Sequence, residues 1–439
     1  MKIVITDVYD LKYNYGVQGL VLPLAGKLRE KIPGAEFIMP VQSAYYNRPN
    51  IEFASKRGIR LVSYWKYSFV FEMVHFFLKL GGFLREGSVE APGCDEAPTS
   101  DDRYTVHKST ALAGYRELVA SIREAGMVID VAGIEFIGNS GAKKKWGELL
   151  FCRMFQKLAR RYKRPYFKYT KSYGPLEGLL FRAAAKRLLE ELPFIFVRGR
   201  NNLERMKRLQ FKTPLYLFPD VSLVLEPAPD EWAEQHLKSL GIDTSKPVIG
   251  ISPSRVLSRI NIRGSAHTTG QNHRELCKRL MKEYSKDGTQ VLVIPHAIDR
   301  IDKYKCDREL AIELLEETGY PDDVFLAGEG LSYSDVRALI GKLSFYVTGR
   351  YHSVASALYM ATPVVSLAWH VKYTDIMGEF LDEYLVIDSR STNIDDACRL
   401  IRKYRDDLSW YDKAKVRENR DRIGREVDKS VQMILDKTH

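Results

Sequence analysis

The sequence contains few cysteines, and their positions form no recognisable pattern. There are five among 439 residues, at Cys94, Cys152, Cys277, Cys306 and Cys398. Neither the paired spacing of a metal site nor the framework of a disulfide-rich secreted protein is present. This usage is typical of a reducing compartment, so we predict a cytoplasmic location.

No apolar run is long enough and free enough of charge to predict a membrane-spanning helix. The aromatic-rich run Val62–Leu84 is interrupted by Lys66, Glu72, His75 and Lys79. A spanning helix rarely tolerates so many ionisable groups. We expect a helix packed on its own protein, and weak peripheral contact with the inner face of the membrane stays open as an alternative. The N-terminal segment MKIVITDVYD predicts a strand rather than a signal peptide.

Motifs for nucleic acid and for dinucleotides are also missing. The formal charge of +11 favours anionic partners. However, no zinc-finger spacing or aromatic RNA-binding signature accompanies this charge, so we exclude nucleic acid as a partner. The chain lacks a full GxGxxG, and we therefore predict no bound cofactor.

Alternating elements predict an α/β protein. The hydrophobic content of 45% and the charged content of 28% are ordinary for a globular protein. Short apolar strands alternate with helical patterns in both halves, which implies two mostly parallel sheets with a cleft between them. The polar, proline-containing segment Glu226–Asp230 marks the change of domain. We predict domains at residues 1–225 and 226–439, with an aromatic and loop insertion near 60–105.

The strongest functional signal lies between Phe345 and Lys372. Phe345–Thr348 predicts a buried strand, and a helical pattern follows for which Ser353 is a candidate N-cap. Arg350 and His352 thus stand at a strand-to-helix corner, where backbone N–H groups and the helix dipole favour an anion. Arginine binds phosphate or carboxylate through a planar fork, and histidine carries a proton near neutral pH. The alternative is a surface ion pair and a structural histidine.

Other chemistry-bearing side chains also follow predicted strands. Asp7 and Asn14 follow the first strand, Arg198 and Asp220 follow later strands of the first half, and His296 follows a strand of the second half. The carboxyl ends of parallel strands are where open α/β sheets bind ligands. These side chains are therefore candidates for one cleft.

These residues resemble the signature of the polysaccharide pyruvyl transferase family. The central part is Gly349-Arg350-Tyr351-His352-Ser353, followed by Ala357-Leu358, Pro363 and Lys372. Other marks occur in order along nearly the whole chain: Asn14 and Gly16, Gly133, Gly174-Pro175, Val197-Arg198, Pro219-Asp220, Ile251-Ser252-Pro253 and Pro295-His296. The resemblance implies two Rossmann-like domains similar to the glycosyltransferase B-type fold, with the acceptor on the N-terminal side and the donor on the C-terminal side.

The resemblance also implies an activity and a set of site residues. Members move the pyruvyl group of phosphoenolpyruvate onto two hydroxyls of a sugar in a polysaccharide or its precursor, forming a cyclic ketal. Arg350 and His352 would be catalytic, and the donor would be bound by Arg198, Arg350, Tyr351, His352, Ser353 and Lys372. Candidates for the acceptor side and the base are Asp7, Asn14, Asp220 and His296. No metal is predicted, and a lipid-linked acceptor is left open.

Two departures from the family pattern bear on the acceptor. Val17 stands where an acid usually follows Asn-x-Gly, and Gly199 stands where an acid often follows the arginine. Two other functions also remain open. A nucleotide-sugar-dependent glycosyltransferase of the B-type fold would need a carboxylate for the donor ribose, such as Glu379 or Asp382. A non-catalytic homologue would keep the cleft and bind a ligand without turnover.

Overall fold

The structure is a computed structural model. It describes residues 1–8, 10–42, 45–64, 108–136, 142–259, 269–286, 288–299, 303–388 and 391–438. Most of the aromatic run 62–84, and with it the predicted amphipathic helix, lies outside the described residues. Its first residues, 62–64, end a strand instead of beginning a helix.

Strands occur throughout the described chain, and most coincide with the predicted ones. They are β1 (Lys2–Thr6), β2 (Glu36–Gln42), β3 (Ile59–Tyr64), β4 (Met127–Asp130), β5 (Ile134–Glu135), β6 (Tyr166–Lys168), β7 (Ser172–Tyr173), β8 (Ile195–Val197), β9 (Leu215–Leu217), β10 (Val248–Ser252), β11 (Gln290–Val293), β12 (Val324–Leu326), β13 (Phe345–Thr348), β14 (Val364–Ala368) and β15 (Val386–Asp388). The sequence pattern of Pro165–Tyr173 predicts a single strand, which is wrong, because this stretch contains two strands, β6 and β7, that belong to different sheets.

Helices follow most of the strands. They are α1 (Tyr15–Lys31), α2 (Arg48–Ser55), α3 (Lys108–Glu124), α4 (Ala142–Arg161), α5 (Leu179–Glu190), α6 (Arg200–Lys207), α7 (Asp230–Ser239), α8 (Thr269–Lys286), α9 (Asp307–Thr318), α10 (Tyr333–Gly341), α11 (Tyr351–Met360), α12 (Lys372–Phe380), α13 (Ile394–Asp406) and α14 (Lys413–Leu435). Short 3-10 turns add Val221–Val224, Leu257–Arg259 and Lys303–Lys305.

Two parallel sheets organise the protein, as predicted. The first has the order β3-β2-β1-β4-β6 and the second has the order β12-β11-β10-β13-β14-β15. Two smaller parallel pairs, β5-β7 and β8-β9, extend the first half. In each main sheet the strand order reverses beside the first strand, at β1/β4 and at β10/β13. Such switch points open a crevice at the carboxyl ends of the strands.

Both main sheets are covered on both faces, which explains why their strands are almost wholly apolar. In β1, Ile3 and Ile5 pack in one core and Val4 packs in the core on the other face. The last turns of α14 return to the first half, where Val427 and Val431 join the core of Ile3. The C-terminal helix therefore packs on both halves. The boundary between residues 225 and 226 stays a prediction.

Local sequence signals explain where two site-bearing helices begin. Asn14 caps α1, its Oδ1 accepting a hydrogen bond from the N–H of Val17 at 3.2 Å, so Gly16 lies in the first helical turn and not in a loop. The predicted cap Ser353 is wrong. The N-cap of α11 is Arg350, whose backbone is extended and whose N–H donates to Thr348 Oγ1 at 3.0 Å. This brings His352 into the first turn of the helix.

Candidate active site

The two main sheets meet through the loops at their carboxyl edges. Tyr13 and Asn14, from the loop after β1, pair with the loop after β11: the N–H of Ile298 donates to the carbonyl of Tyr13 at 3.0 Å, and Asn14 bridges Ala297. Across the same junction, the N–H of Tyr333 donates to Gln18 Oε1 at 2.8 Å. Residues at the two carboxyl edges are thus brought into one site.

Arg350 is held by a buried carboxylate of its own half. One Nη of Arg350 donates to Oδ1 of Asp307, which is fully buried, whereas the Arg350 side chain is 19% exposed. The other oxygen of Asp307 accepts a hydrogen bond from the N–H of Ala297 at 2.8 Å. The ion pair fixes the plane of the guanidinium at the strand-to-helix corner. Asp307 had no sequence signal, because it lies 43 residues from Arg350.

Arg198 reaches the same site from the first half. It is buried and forms an ion pair with Asp220, and its Nε donates to Ser172 Oγ at 3.2 Å. Its guanidinium lies 4.5 Å from the centre of the Tyr351 ring, a cation–π contact across the cleft. Burial would raise the pKa of Asp220, but Arg198 and then His352 hold it below its usual value. Asp220 is therefore an anion that orients Arg198 and is a poor base.

His352 lies between these charges with one ring nitrogen unsatisfied. Its Nε2 is 4.0 Å from Asp220 Oδ2, too far for a hydrogen bond, and the side chain is 18% exposed. Nε2 is buried and has no hydrogen-bond partner among the described residues. Burial lowers the pKa of His352 to about 4, against the opposing effect of Asp220. A buried nitrogen without a partner, close to the charge of Arg198, is explained by a bound group that it would hydrogen-bond.

Lys372 completes the positive side of the site. Its Nζ lies 5.0 Å from the Trp369 ring centre and 5.4 Å from that of Tyr351. Burial, followed by the charges of Arg198 and Arg350, lowers the pKa of Lys372 to about 7. Near neutral pH part of the Lys372 population is therefore the neutral amine, which takes up a proton when an anion arrives.

The remaining predicted donor and base residues are more enclosed. His296 is 3% exposed, and its ring stacks on that of His352 with centres 6.3 Å apart. Burial, followed by the positive groups nearby, lowers the pKa of His296 well below its usual value. Ser353 is fully buried, and its hydroxyl has no partner among the described residues. His296 therefore lies beside His352 as a neutral ring.

Asp7 belongs to a second polar cluster, at the switch point of the first sheet. Its other members are fully buried at the ends of neighbouring strands: Asp130, Glu135, Lys168 and Lys171. Lys168 Nζ and Lys171 Nζ each donate to Glu135 Oε1 at 2.7 Å. Asp7 is partly exposed. It is the third carboxylate in a cluster that has only two ammonium groups, so its charge is not balanced by a lysine of its own. Burial and the charge of Asp130 raise the pKa of Asp7 to about 7.

The same cluster is a candidate metal site by distance, because its carboxylate oxygens and a cysteine sulfur lie close together. One ligand atom from each of Asp7, Asp130, Glu135 and Cys152 lies within 4.8 Å of the others. However, the ammonium groups of Lys168 and Lys171 already bond to two of these carboxylates and supply the positive charge that an ion would bring. The donor set does not fit a metal, and the cluster is better described as an ion-pair network.

The network connects to Arg198 through the backbone. Gly133, three residues after Asp130, offers its carbonyl to Arg198 Nη2 at 2.5 Å, and the N–H of Arg198 donates to the carbonyl of Lys171 at 2.8 Å. Asp7 and Arg198 therefore line one continuous edge of the first half. The sequence placed both at strand ends but gave no indication of the lysines, because each lies inside an apolar-looking strand region.

Asp375 occupies the place of the acid missing after Arg198. Asp375 Oδ1 accepts hydrogen bonds from the N–H and the side-chain amide of Asn201, at 2.9 and 2.8 Å. A β-carbon on Gly199, whose φ is +90°, would lie 2.3 Å from Asp375 Oδ2. A carboxylate side chain at position 199 would collide with the one that arrives from α12. One turn later in α12, burial and Asp375 raise the pKa of Glu379 to about 7.

Comparisons with solved structures identify the fold. The chain is similar to a Staphylococcus aureus MnaA–UDP structure, with 13% identity, a TM-score of 0.52 and coverage of 97% of this chain and 96% of that one. A UDP-GlcNAc 2-epimerase from Neisseria meningitidis bound to UDP-GlcNAc is similar with 12% identity and a TM-score of 0.51, covering 99% of this chain and 100% of that one. UGT2 of Phytolacca americana, complexed with UDP-2fluoro-glucose and pterostilbene, is similar with 13% identity and a TM-score of 0.50, covering 100% of this chain and 99% of that one. The protein has a glycosyltransferase B-type fold.

The family follows from the sequence itself. The profile of the polysaccharide pyruvyl transferase family matches residues 20–371, which is most of the chain. The protein belongs to the polysaccharide pyruvyl transferase family, as its Arg350 to Ser353 motif predicted. No curated protein matched the sequence.

Proposed function

We propose that the protein transfers the pyruvyl group of phosphoenolpyruvate to two hydroxyls of a sugar acceptor, forming a cyclic ketal. The observation that carries the proposal is the unsatisfied, buried Nε2 of His352, which feels the charges of Arg198 and Lys372, while Arg350 in turn acts on Lys372. A donor with one phosphate and one carboxylate matches this surplus of positive groups. Family membership supports the transfer of a pyruvyl group to a sugar.

The donor-binding role falls to the three cationic side chains. The ion pairs with Asp307 and Asp220 hold the two arginines rigidly, so little side-chain entropy is lost when an anion binds. Lys372 is less constrained and takes up a proton on binding, because an anion beside it reverses the effect of the neighbouring arginines. The aromatic rings of Trp369 and Tyr351 exclude water around this ammonium.

His352 is the proposed acid. The donor anion raises the pKa of His352 from about 4 and so favours its protonated form. His352 then gives its proton to C3 of the enol, which makes C2 electrophilic. One sugar hydroxyl bonds to C2, phosphate leaves, and the second hydroxyl bonds to the same carbon. The two hydroxyls each lose a proton. One proton restores the acid form of His352, which protonated C3, and the other leaves with phosphate, so protons balance over the whole reaction.

Asp7 is the carboxylate best suited to accept a proton from the acceptor. Asp220 is tied to Arg198, and His296 is almost fully buried. Asp7 is partly exposed, and among the described residues no side chain donates a hydrogen bond to it. Its φ of +62° is uncommon for a residue other than glycine, and such backbone conformations cluster at active sites. Asn14 lies at the junction between this edge and His296.

A nucleotide-sugar donor is the second candidate function. The observation that favours it is Glu379, which is partly exposed on α12 and close enough to Arg198 for its charge to raise the pKa of that guanidinium. Such a carboxylate could accept hydrogen bonds from a ribose, and the structural neighbours above contain UDP or UDP-sugars. The other carboxylate proposed for this role, Asp382, is 85% exposed and pairs with Lys415 at the surface, so it is ruled out.

Donor-dependent thermal unfolding separates the candidate functions. A ligand present at a hundred times its Kd adds about 2.7 kcal/mol of stability. We expect phosphoenolpyruvate to raise the unfolding midpoint of the full chain, UDP-glucose to leave it unchanged, and Arg350→Lys to reduce the effect. Protection by UDP-glucose without protection by phosphoenolpyruvate would favour the glycosyltransferase. Protection by phosphoenolpyruvate without phosphate release on any sugar acceptor would favour a binding protein.

A further inference from the structure

An exposed apolar surface lies on two helices of the first half. At the start of α5, Leu179 is 82% and Leu180 is 81% exposed, and Trp146 and Leu150 are exposed on the neighbouring α4. The Trp146 ring meets that of Phe181 edge to face, with centres 5.5 Å apart, which holds the two helices side by side. We name these four exposed side chains, with the basic side chains of α4 from Lys145 onward and those of α5, the α4–α5 surface. Large apolar side chains exposed together mark an interaction site.

The charge of these helices is strongly unbalanced. Together α4 and α5 contain ten lysines and arginines and two acidic residues. Trp146, Leu150 and Lys157 recur at helical spacing, so one face of α4 passes from apolar to basic. Some basic groups are paired: Lys145 contacts Glu177 at 3.5 Å, and Arg153 shares Glu191 with its neighbour Arg160.

Four exposed cations of these helices have no ion pair among the described residues. They are Lys157 and Arg161 on α4, and Arg182 and Arg187 on α5. A neutral protein groove would suit the leucines but not the surplus positive charge. A lipid membrane with an apolar interior and anionic head groups suits both the leucines and the positive charge.

The α4–α5 surface is close in the chain to the candidate active site. Ser172, which accepts a hydrogen bond from Arg198, is followed seven residues later by Leu179. Because an extended chain spans at most about 3.6 Å per residue, the two lie within about 25 Å of each other. A sugar held at this surface by a lipid would therefore be near the carboxyl edge of the first half.

We propose that the α4–α5 surface binds an anionic membrane, with Leu179 and Leu180 inserted among the lipids and the basic side chains on the head groups. The binding is reversible, because two leucines and a few charges provide far less anchoring than a spanning helix. That the membrane supplies a lipid-linked acceptor rests on the proposed function, whereas membrane binding itself does not.

Sedimentation of the full chain with vesicles tests the proposal. We expect the protein to bind phosphatidylcholine vesicles that contain about one third phosphatidylglycerol, and to bind pure phosphatidylcholine at least about tenfold more weakly. High salt should weaken the binding, since it screens the charges. No sedimentation with the anionic vesicles would overturn the proposal.

Variants locate the contact. The double variant Leu179→Gln, Leu180→Gln should lose at least about tenfold in vesicle affinity, and Lys157→Gln, Arg187→Gln should lose about fivefold for each charge removed. The matched control is Leu408→Gln, since Leu408 is 40% exposed on another surface, and it should bind normally. Unchanged binding by the leucine double variant would overturn the proposal and move the contact elsewhere.

A donor-protection measurement on the same preparations separates this proposal from the proposed function. The leucine double variant should keep the midpoint shift given by phosphoenolpyruvate, because neither leucine takes part in the site. If the leucine variant is less oligomeric than the wild type in solution and vesicle binding is absent, the surface is a contact between copies of the chain, and the membrane proposal fails.

Discussion

Gly16, in the first turn of α1, lies directly against the imidazole of His352 in the first turn of α11. A β-carbon on Gly16 would be 2.8 Å from His352 Nδ1 and 3.1 Å from Cε1. Contacts under 3.0 Å do not persist, so the ring would have to move. The two halves of the protein thus set the position of the proposed acid together, and glycine is required here by the lack of space.

Gly16→Ala should therefore reduce turnover with little change in stability. A displacement of about 1 Å at a reacting group can cost about a hundredfold in rate. The matched control is Gly26→Ala in the same helix, since a β-carbon there would meet nothing within 4 Å. The control should keep full turnover and gain about 0.5–1 kcal/mol of stability. Equal turnover in the two variants would show that Gly16 does not position His352.

Asp7→Asn should lose turnover and gain stability above neutral pH. General base catalysis is worth about a hundred- to ten-thousand-fold in rate. Asparagine is well tolerated at positive φ, so the backbone should be preserved.

The sign of the stability change follows from the raised pKa of Asp7. The folded state binds the extra proton between about pH 4 and about pH 7, so wild-type stability falls as pH rises through that window. Each unit of pKa difference is worth about 1.4 kcal/mol. The variant should lack this fall. Denaturant unfolding of both proteins at pH 5 and pH 8 measures this difference in stability. Wild-type turnover in the Asp7→Asn variant would exclude Asp7 as the base.

Arg350→Lys should weaken donor binding although the charge is kept. The loss of the planar fork and of the pairing with Asp307 is expected to cost about 1.5–3 kcal/mol, a rise in Kd of about ten- to 150-fold. Isothermal titration with phosphoenolpyruvate measures the effect, with Arg187→Lys, an exposed residue of α5, as the control. Unchanged affinity in a folded variant would remove Arg350 from the donor site.

Donor affinity should fall as pH rises above about 7. Lys372 has a pKa of about 7 without donor, and an anion beside it raises this pKa, so the complex binds more protons than the free protein. The contribution of Lys372 to donor affinity is then fully present below pH 7 and declines above it by up to about tenfold per pH unit. Lys372→Gln should bind more weakly and lose this slope. Because both proteins bind the same donor, a slope equal in both would belong to the donor and not to Lys372.

Sequence signals predicted the elements better than the contacts between them. The apolar run Phe345–Thr348 predicts β13 with its observed bounds, and the signature places Arg350 and His352 directly after it. The start of α10 is equally local, since Ser332 and Asp335 form a capping box three residues apart in the sequence.

Contacts that join distant segments could not be predicted. Asp307 with Arg350, and Asp375 with Asn201, connect residues 43 and 174 positions apart, and only the packing of the two halves brings them together. Ser353 was misjudged as a cap because its residue type fits one, while Gly349 and the extended Arg350 let the helix start earlier. The absence of an acid at Gly199 is explained by Asp375 of α12, whose carboxylate fills the space beside Gly199, and the sequence gives no sign of this contact.

The central claim is that His352 protonates phosphoenolpyruvate, and one preparation of His352→Gln tests it most directly. Thermal midpoint, donor affinity and the rate of phosphate release on a sugar acceptor are measured together. Donor affinity rests mainly on the arginines, so it should change little, while the rate falls about a hundred- to ten-thousand-fold. A folded variant that releases phosphate at near the wild-type rate would contradict the account.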